Sequence, residues 1–274
     1  MEKGILYICP TPIGNLEDIT IRTLKILESI DLIAAEDTRH SIKLLNHYEI
    51  KKPLISYHEH NEKTRAPELI GKLFEGQDIG LVSDAGMPGI SDPGQNIIRL
   101  AIEEGIEVIA LPGATAVITA LVASGLSTEK FVFEGFLPSK KRQRQEELEN
   151  LKTERRTIIL YESPYRLLDT LKDILDIMGN RQIALARELT KLHEEIFRGN
   201  VSQGIDKFSS RQIKGEFVIV IGGSREEEKT KEIHIKEELK KYIDEGYTKK
   251  SSIKIVSEKY DIPKNQVYKE SLRI

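Results

Sequence analysis

Ile79-Gly-Leu-Val-Ser-Asp-Ala-Gly-Met-Pro-Gly-Ile-Ser-Asp-Pro-Gly94 is the stretch on which the fold turns. Its first four residues are an apolar run; the twelve that follow hold three glycines and two prolines. A short apolar run stopped by Pro and Gly reads as a buried strand ending in a loop. Two other stretches repeat the pattern: Ile5–Cys9 runs into Pro10-Thr-Pro-Ile-Gly14, and Val108–Leu111 into Pro112-Gly-Ala-Thr-Ala116. Five of the ten prolines fall in these three loops, which argues for one built pocket rather than three unrelated turns. In open α/β sheets ligands bind at the carboxyl ends of the strands, where these loops lie.

Working outward, strand and helix patterns alternate. Helices are predicted near Ile19–Ser29, Ser41–His47, Ala66–Glu75 and Gln95–Glu104, with strands Leu32–Ala35 and Leu54–Ser56 between them. That alternation predicts a mainly parallel sheet covered on both faces. A second unit starts near Ala114. Its helix Ala114–Ser124 is rich in small and β-branched residues, so it is expected to be buried and to join two domains. Strands at Phe131–Glu134, Arg156–Tyr161, Ile183–Arg187, Glu195–Val201 and Glu216–Gly222, with helices near Lys140–Lys152 and Tyr165–Met178, read as α+β with antiparallel pairing.

Ser224–Lys231 reads as a charged linker. Beyond it two helical patterns flank Asp261-Ile-Pro263, one with Ile253, Val256 and Tyr260, the other with Val267 and Leu272. Thr248 suits the cap of the first, Pro263 the first turn of the second. Helix, tight turn, helix resembles a small helix-turn-helix module; a hairpin that only packs on the body is the alternative. The expected division is therefore 1–113 and 114–224 as α/β domains and 225–274 as linker and basic module.

Of 274 residues, 39% are hydrophobic and 31% charged, enough for a core and for solubility. No apolar run reaches a membrane span, and no basic-then-apolar leader is seen, so a cytoplasmic location is expected. Cys9, the single cysteine, lies inside the first apolar run and reads as a buried structural thiol. The net charge of −3 does not announce a nucleic-acid binder, but its distribution is uneven. From Lys229 onward 12 Lys and Arg face 8 Asp and Glu, and a second basic cluster runs Lys140-Lys-Arg-Gln-Arg144. Local basic patches are what a phosphate backbone feels; a solvated helix face is the plainer reading.

The first loop has one glycine and no lysine, which disfavours a dinucleotide or P-loop phosphate cradle. A ligand read by backbone groups, with little phosphate, fits better, and S-adenosylmethionine is one such candidate. Asp84 or backbone carbonyls would face its cationic end.

Several blocks resemble bacterial methyltransferases that modify the ribose 2′-hydroxyl of a cytidine in small-subunit ribosomal RNA, a family of the tetrapyrrole methylase superfold. They are Thr11–Thr20, Ala34-Ala-Glu-Asp-Thr-Arg39, His58-Glu-His-Asn-Glu62, Ser83–Gly94, Pro112–Ala116, Gly135-Phe-Leu-Pro138, Tyr161-Glu-Ser-Pro-Tyr-Arg166, Arg187-Glu-Leu-Thr-Lys191 and Lys214-Gly-Glu-Phe217. The resemblance runs through nearly the whole chain in order. It departs at Met87, where the family usually has Thr, and in the block at Pro112, which lacks a second proline.

The resemblance implies two α/β domains with S-adenosylmethionine in the cleft between them, and a homodimer. Pro12 and Gly14 would form one wall; Ser83, Asp84, Ala85, Gly86, Met87 and Pro88 would hold the methionine end. Thr115 and Ala116 would lie near the cofactor at the domain junction. Tyr161 and the backbone at Glu216-Phe217 would approach adenine.

A sugar hydroxyl is a poor nucleophile, so a base or a polarising group is expected. Asp37 or Glu59 is the expected proton acceptor or substrate orienter, with Arg39 on an RNA phosphate and Glu36 and His58 beside the substrate. Asp37 as a helix cap and Arg39 as its local partner are the bland alternatives. His58 and His60 alternate on an extended segment and should face opposite ways, so no shared metal is expected. Lys140, Lys141, Arg142 and Arg144, with Arg155-Arg156 and the C-terminal module, are the expected phosphate contacts. A tetrapyrrole C-methyltransferase shares the fold but calls for an aromatic-lined trough, against 6% aromatics and no Trp here. A non-enzymatic RNA-binding assembly factor gives no reason for the full set of cofactor loops.

Overall fold

The computed structural model describes residues 2–210, 212, 214–224, 235–260 and 262–272. The chain divides into two compact units, between Ser224 and Arg225. In the first unit, apolar runs become strands of two five-stranded sheets. β1 (Leu6–Ile8), β2 (Leu32–Ala35), β3 (Leu54–Ser56), β4 (Ile79–Val82) and β5 (Val108–Ala110) pair in the order β3-β2-β4-β1-β5, all parallel. Every residue of β2 and β4 is buried, because helices cover both faces. α3 (Glu62–Phe74) and α4 (Gln95–Glu103) lie over the face of Leu6, Ile8, Ile79 and Leu81; α1 (Ile21–Ser29) and α2 (Thr38–His47) lie over Cys9, Ile33 and Val82. Burial pushes the Cys9 thiol up to about 12, so it stays a protonated packing group.

β6 (Phe131–Phe136), β7 (Thr157–Glu162), β8 (Gln182–Arg187), β9 (Glu195–Asn200) and β10 (Phe217–Ile221) form the second sheet, ordered β6-β7-β10-β8-β9. β6 and β7 are parallel; the other pairs are antiparallel. Along β10, Phe217, Ile219 and Ile221 enter one core while Val218 and Val220 enter the other, the period of two that a doubly covered strand requires. α6 (Lys141–Leu151), α7 (Leu167–Met178) and α8 (Val201–Ser209) close the first face. The sequence pattern carries Glu195–Val201 through as strand, but Asn200 and Gln203 form a capping box that turns the chain into α8 at Val201.

α5 (Ala116–Ser124) covers the other face with Val117, Ala120 and Leu121. It is not fully buried as its composition suggests. Ile118 and Val122 point outward, since one helix face suffices to seal one sheet face.

Among its described residues the second unit has three helices where the sequence pattern shows two: α9 (Ile235–Asp244), α10 (Lys249–Tyr260) and α11 (Lys264–Ser271). Leu239, Val256 and Val267, one from each, are fully buried together. The pair read from sequence lacks a third apolar stripe to close that core, and Leu239 supplies it. Thr248 Oγ1 accepts from the Ser251 N–H at 3.2 Å as the cap of α10, and Pro263 sits one residue before α11 rather than in its first turn. The expected linker, apart from Ser224, lies outside the described residues, as does Asp261.

Candidate active site

The loops that follow β1 and β4 are stitched together before they meet any ligand. Thr11 and Gly86 exchange backbone hydrogen bonds at 2.9 and 3.0 Å, and Thr11 Oγ1 donates to the Ser83 carbonyl at 3.1 Å. A second stitch joins β2 to β4. The Asp84 N–H donates to Glu36 Oε2, and the Asp37 N–H donates to Asp84 Oδ1, each at 3.2 Å. Two carboxylates just past neighbouring strands, Glu36 and Asp84, therefore each hold a backbone N–H of the other loop.

These loops form one side of a cavity of about 610 Å³, in the size range of small-molecule sites. The other side comes from one edge of the second sheet: the ends of β6, β7 and β8 and the start of β10. Asp84, Ala85, Gly86, Met87, Thr115, Ala116, Tyr161, Glu216 and Phe217 all lie on its wall, as does Glu36. Pro12, Gly14, Ser83 and Pro88 do not. Ile13 takes the place on the wall expected of its neighbours, and Ser83 is buried beneath the loop it supports.

Gly14 acts by leaving room. A Cβ there would stand 2.5 Å from Lys191 Cγ and 2.8 Å from the Leu189 carbonyl. That closeness lets the Asn15 N–H donate to Thr190 Oγ1 at 2.9 Å, tying the first loop to the loop after β8. Thr190 is held at φ 65°, a costly conformation for a β-branched residue, and its N–H donates to Glu194 Oε2 at 2.6 Å. Gly14→Ala is expected to destabilise the protein by about 1–3 kcal/mol and to weaken ligand binding by parting the two walls. Thermal melting and calorimetric titration check both.

The wall is acidic. Glu36, Asp84, Asp92, Glu188 and Glu216 line it, and Lys191, which pairs with Glu188 at 3.0 Å, is the basic side chain among them. Burial raises the Glu36 carboxyl above its ordinary value, and Asp92, Asp84 and Asp37 add to that. Asp92 is raised too, first by burial and then by Asp84 and Glu216. Tyr161 is pushed up to about 12 by burial, so its hydroxyl remains a donor. Such a site favours a ligand bearing positive charge and repels phosphate.

Asp37 is otherwise occupied. Its Oδ1 accepts from the Arg39 N–H at 2.9 Å as the cap of α2, and Arg39 grips both oxygens, at 3.0 and 2.6 Å. The guanidinium holds Asp37 at about 2, which makes it a weak proton acceptor, and neither residue lines the cavity. His58, Glu59 and His60 also lie off the wall. They sit in a turn rather than an extended segment, so the His58 and His60 rings meet edge to face at 6.0 Å instead of facing apart. Among the described residues no group of three or more His, Cys, Asp or Glu is placed to hold a metal ion.

The basic cluster divides. Lys140, Lys141 and Arg142 are exposed at the start of α6. Arg144 is buried, 5% exposed, and bonds Asp173 of α7 through Nε at 2.8 Å and Nη2 at 2.6 Å. It is an internal tie and not a phosphate contact.

Sequence reasoning passed over Asp92, Glu188, Lys191, Phe133 and Phe136, all on the wall. One signal for the aromatic pair was present. Gly135 stands inside a strand, at φ 64°, and the register of β6 against β7 slips between Phe133 and Gly135. A glycine in a strand marks a bulge. The slip lets Phe133 and Phe136, three apart, both meet Tyr161, with centroids at 5.0 and 5.4 Å. An unbroken strand would send them to opposite faces.

Residues 5–204 match the model of the Tetrapyrrole (Corrin/Porphyrin) Methylases. The chain is 50% identical to the Ribosomal RNA small subunit methyltransferase I of Synechocystis sp., over 99% of this chain and 98% of that one. It is 47% identical to the protein of the same name from Bacillus subtilis, over 97% and 94%. Among solved structures it is similar to a cobalt precorrin-4 methyltransferase (TM-score 0.61, 20% identity, 80% of this chain and 94% of that one). A uroporphyrin-III C-methyltransferase from Thermus thermophilus complexed with S-adenosylhomocysteine gives a TM-score of 0.57 at 15% identity, over 80% and 97%.

Proposed function

This chain belongs to the tetrapyrrole methylase family, and on that premise we propose that it is a ribosomal member: an S-adenosylmethionine-dependent methyltransferase acting on small-subunit ribosomal RNA, with the ribose 2′-hydroxyl of a cytidine as acceptor. The observation that carries the reading is identity near 50% along essentially the whole chain to relatives named for that RNA. The solved tetrapyrrole enzymes, at 15–20% identity, share the fold.

The cavity suits the methyl donor. Its acidic wall would stabilise the ammonium and sulfonium charges, and the stitched backbone at Ala85–Met87 would receive the polar ends. Bound S-adenosylmethionine supplies a methyl group on a sulfonium, an electrophile with a neutral leaving group. The protein's work is then alignment and removal of the hydroxyl proton. Glu36 would take that proton on its carboxylate, which the Asp84 N–H orients through Oε2. Glu36 replaces Asp37 and Glu59 in this role because it alone of the three faces the cavity. Tyr161, held protonated, would donate a hydrogen bond within the site.

Labelled methyl transfer from S-adenosylmethionine to unmodified small subunits, and to naked RNA, tests the proposal after digestion to nucleosides. Label in 2′-O-methylcytidine supports it. Label in no nucleoside, with cofactor bound, overturns it.

The division at 113/114, a homodimer and a cytoplasmic location belong to the same proposal; no described helix is long and apolar enough to cross a membrane. Lys140, Lys141 and Arg142 would meet RNA phosphates. Binding is then expected to weaken with salt by about 0.7–0.9 log units per log unit for each contact. Replacing all three by Ser should flatten that slope by roughly two, as a filter-binding titration across salt would read.

A further inference from the structure

Phe136 is a large aromatic left half exposed, at 48%, on the wall of a cavity that also carries five carboxylates. It is there because of a built irregularity. The bulge at Gly135 turns Phe136 onto the same side as Phe133, where both rings pack on Tyr161. Phe133 and Tyr161 are covered by this packing more than Phe136, whose ring ends the stack toward solvent. From the opposite wall the β4–α4 loop brings Ile90, 61% exposed. The two walls come close here, since a Cβ on Gly135 would lie 3.9 Å from Ser91 Oγ. Two exposed apolar side chains, Phe136 and Ile90, therefore share this cavity with the carboxylates.

We propose that Phe136 is the stacking platform for the target nucleobase, with Ile90 closing against it. The inference rests on the ribosomal RNA reading above and goes on to name how the acceptor nucleotide is held. The argument is one of charge. Phosphates are repelled by Glu36, Asp84, Asp92, Glu188 and Glu216, so the RNA backbone stays outside and a neutral base and its sugar are what can enter. A base that leaves its neighbours loses stacking, and an exposed aromatic face restores it. The exposure of the ring, against the partly buried Glu36 and Asp92 that suit a cationic cofactor, assigns it to the acceptor rather than the donor.

The test compares Phe136→Leu, which keeps an apolar side chain, with Phe136→Tyr and Phe136→Trp, which keep a stacking face. Phe136→Leu should lower kcat/KM for the RNA by about 10- to 100-fold, while the aromatic variants stay within about threefold. Calorimetric affinity for S-adenosylmethionine should be unchanged in all three. A parallel loss of cofactor affinity in Phe136→Leu would reassign the ring to the donor and overturn the proposal, as would full activity.

A second measurement is independent of methyl transfer. A short single-stranded RNA carrying one pyrrolocytidine should lose fluorescence on the wild-type protein and much less on Phe136→Leu. Quenching, with no label transferred to small subunits or naked RNA, would leave the stacking site standing and bring down the ribosomal reading; equal quenching by both proteins would overturn the inference.

Discussion

Glu36→Gln is expected to lower kcat for methyl transfer by roughly 10²–10⁴, the range that general bases contribute. The amide keeps an oxygen to accept from the Asp84 N–H, so the stitch between β2 and β4 survives and only the proton acceptor is lost. The pH dependence separates this from a mere disturbance of the site. Only the ionised carboxylate can take the proton, so activity falls as pH drops through the Glu36 pKa. Burial, with Asp92, Asp84 and Asp37 behind it, raises that pKa, and the acid limb should lie above the ordinary carboxylate range. In Glu36→Gln the limb should vanish. Asp37→Asn is the companion experiment. Its carboxylate is tied up by Arg39 at the head of α2, and Asn is itself a good cap, so turnover should be near that of the wild type. Undiminished turnover in Glu36→Gln would take the role from Glu36, and a collapse confined to Asp37→Asn would return it to Asp37.

Arg144→Ala is expected to cost about 3–5 kcal/mol of stability, because it strands the Asp173 carboxylate in the interior. Asp173 is 3% exposed; its Oδ2 meets Arg144 and its Oδ1 accepts from Gln145 Nε2 at 2.8 Å. Melting temperature should drop by about 2–4 °C per kcal/mol in a protein of this size. Replacing both partners by Leu should recover most of that loss, since no unpaired charge is then left behind. RNA affinity measured well below the melting temperature should be unaltered. A specific loss of RNA binding in a fully stable Arg144→Ala protein would put the side chain back among the phosphate contacts.

The arginine shows why a charge run misleads. Lys140, Lys141, Arg142 and Arg144 look alike as a string, but a helix repeats every 3.6 residues and turns the fourth inward while the others face water. Nothing local announces that Asp173, 29 residues later, will be opposite it. The same holds for the carboxylates. Asp37 is next to Glu36 in the chain and equally acidic, yet the Arg39 two residues on claims one while the strand end at Ala35 aims the other into the cavity.

What the chain determined by itself is local and strong. Leu32–Ala35 and Ile79–Val82 are strands to the residue because each is four apolar residues between polar ends; Glu36-Asp37 stops the first, and the Pro- and Gly-rich Ser83–Gly94 stops the second. The loops that follow are pocket loops because parallel strands in a covered sheet open at one edge. Tertiary structure decided what spacing cannot express: which acid is buried, which base pairs inward, and where a one-residue bulge at Gly135 points a phenyl ring. Those outcomes depend on partners from distant segments, and their desolvation and contact energies exist only once the two sheets have closed around the same cavity.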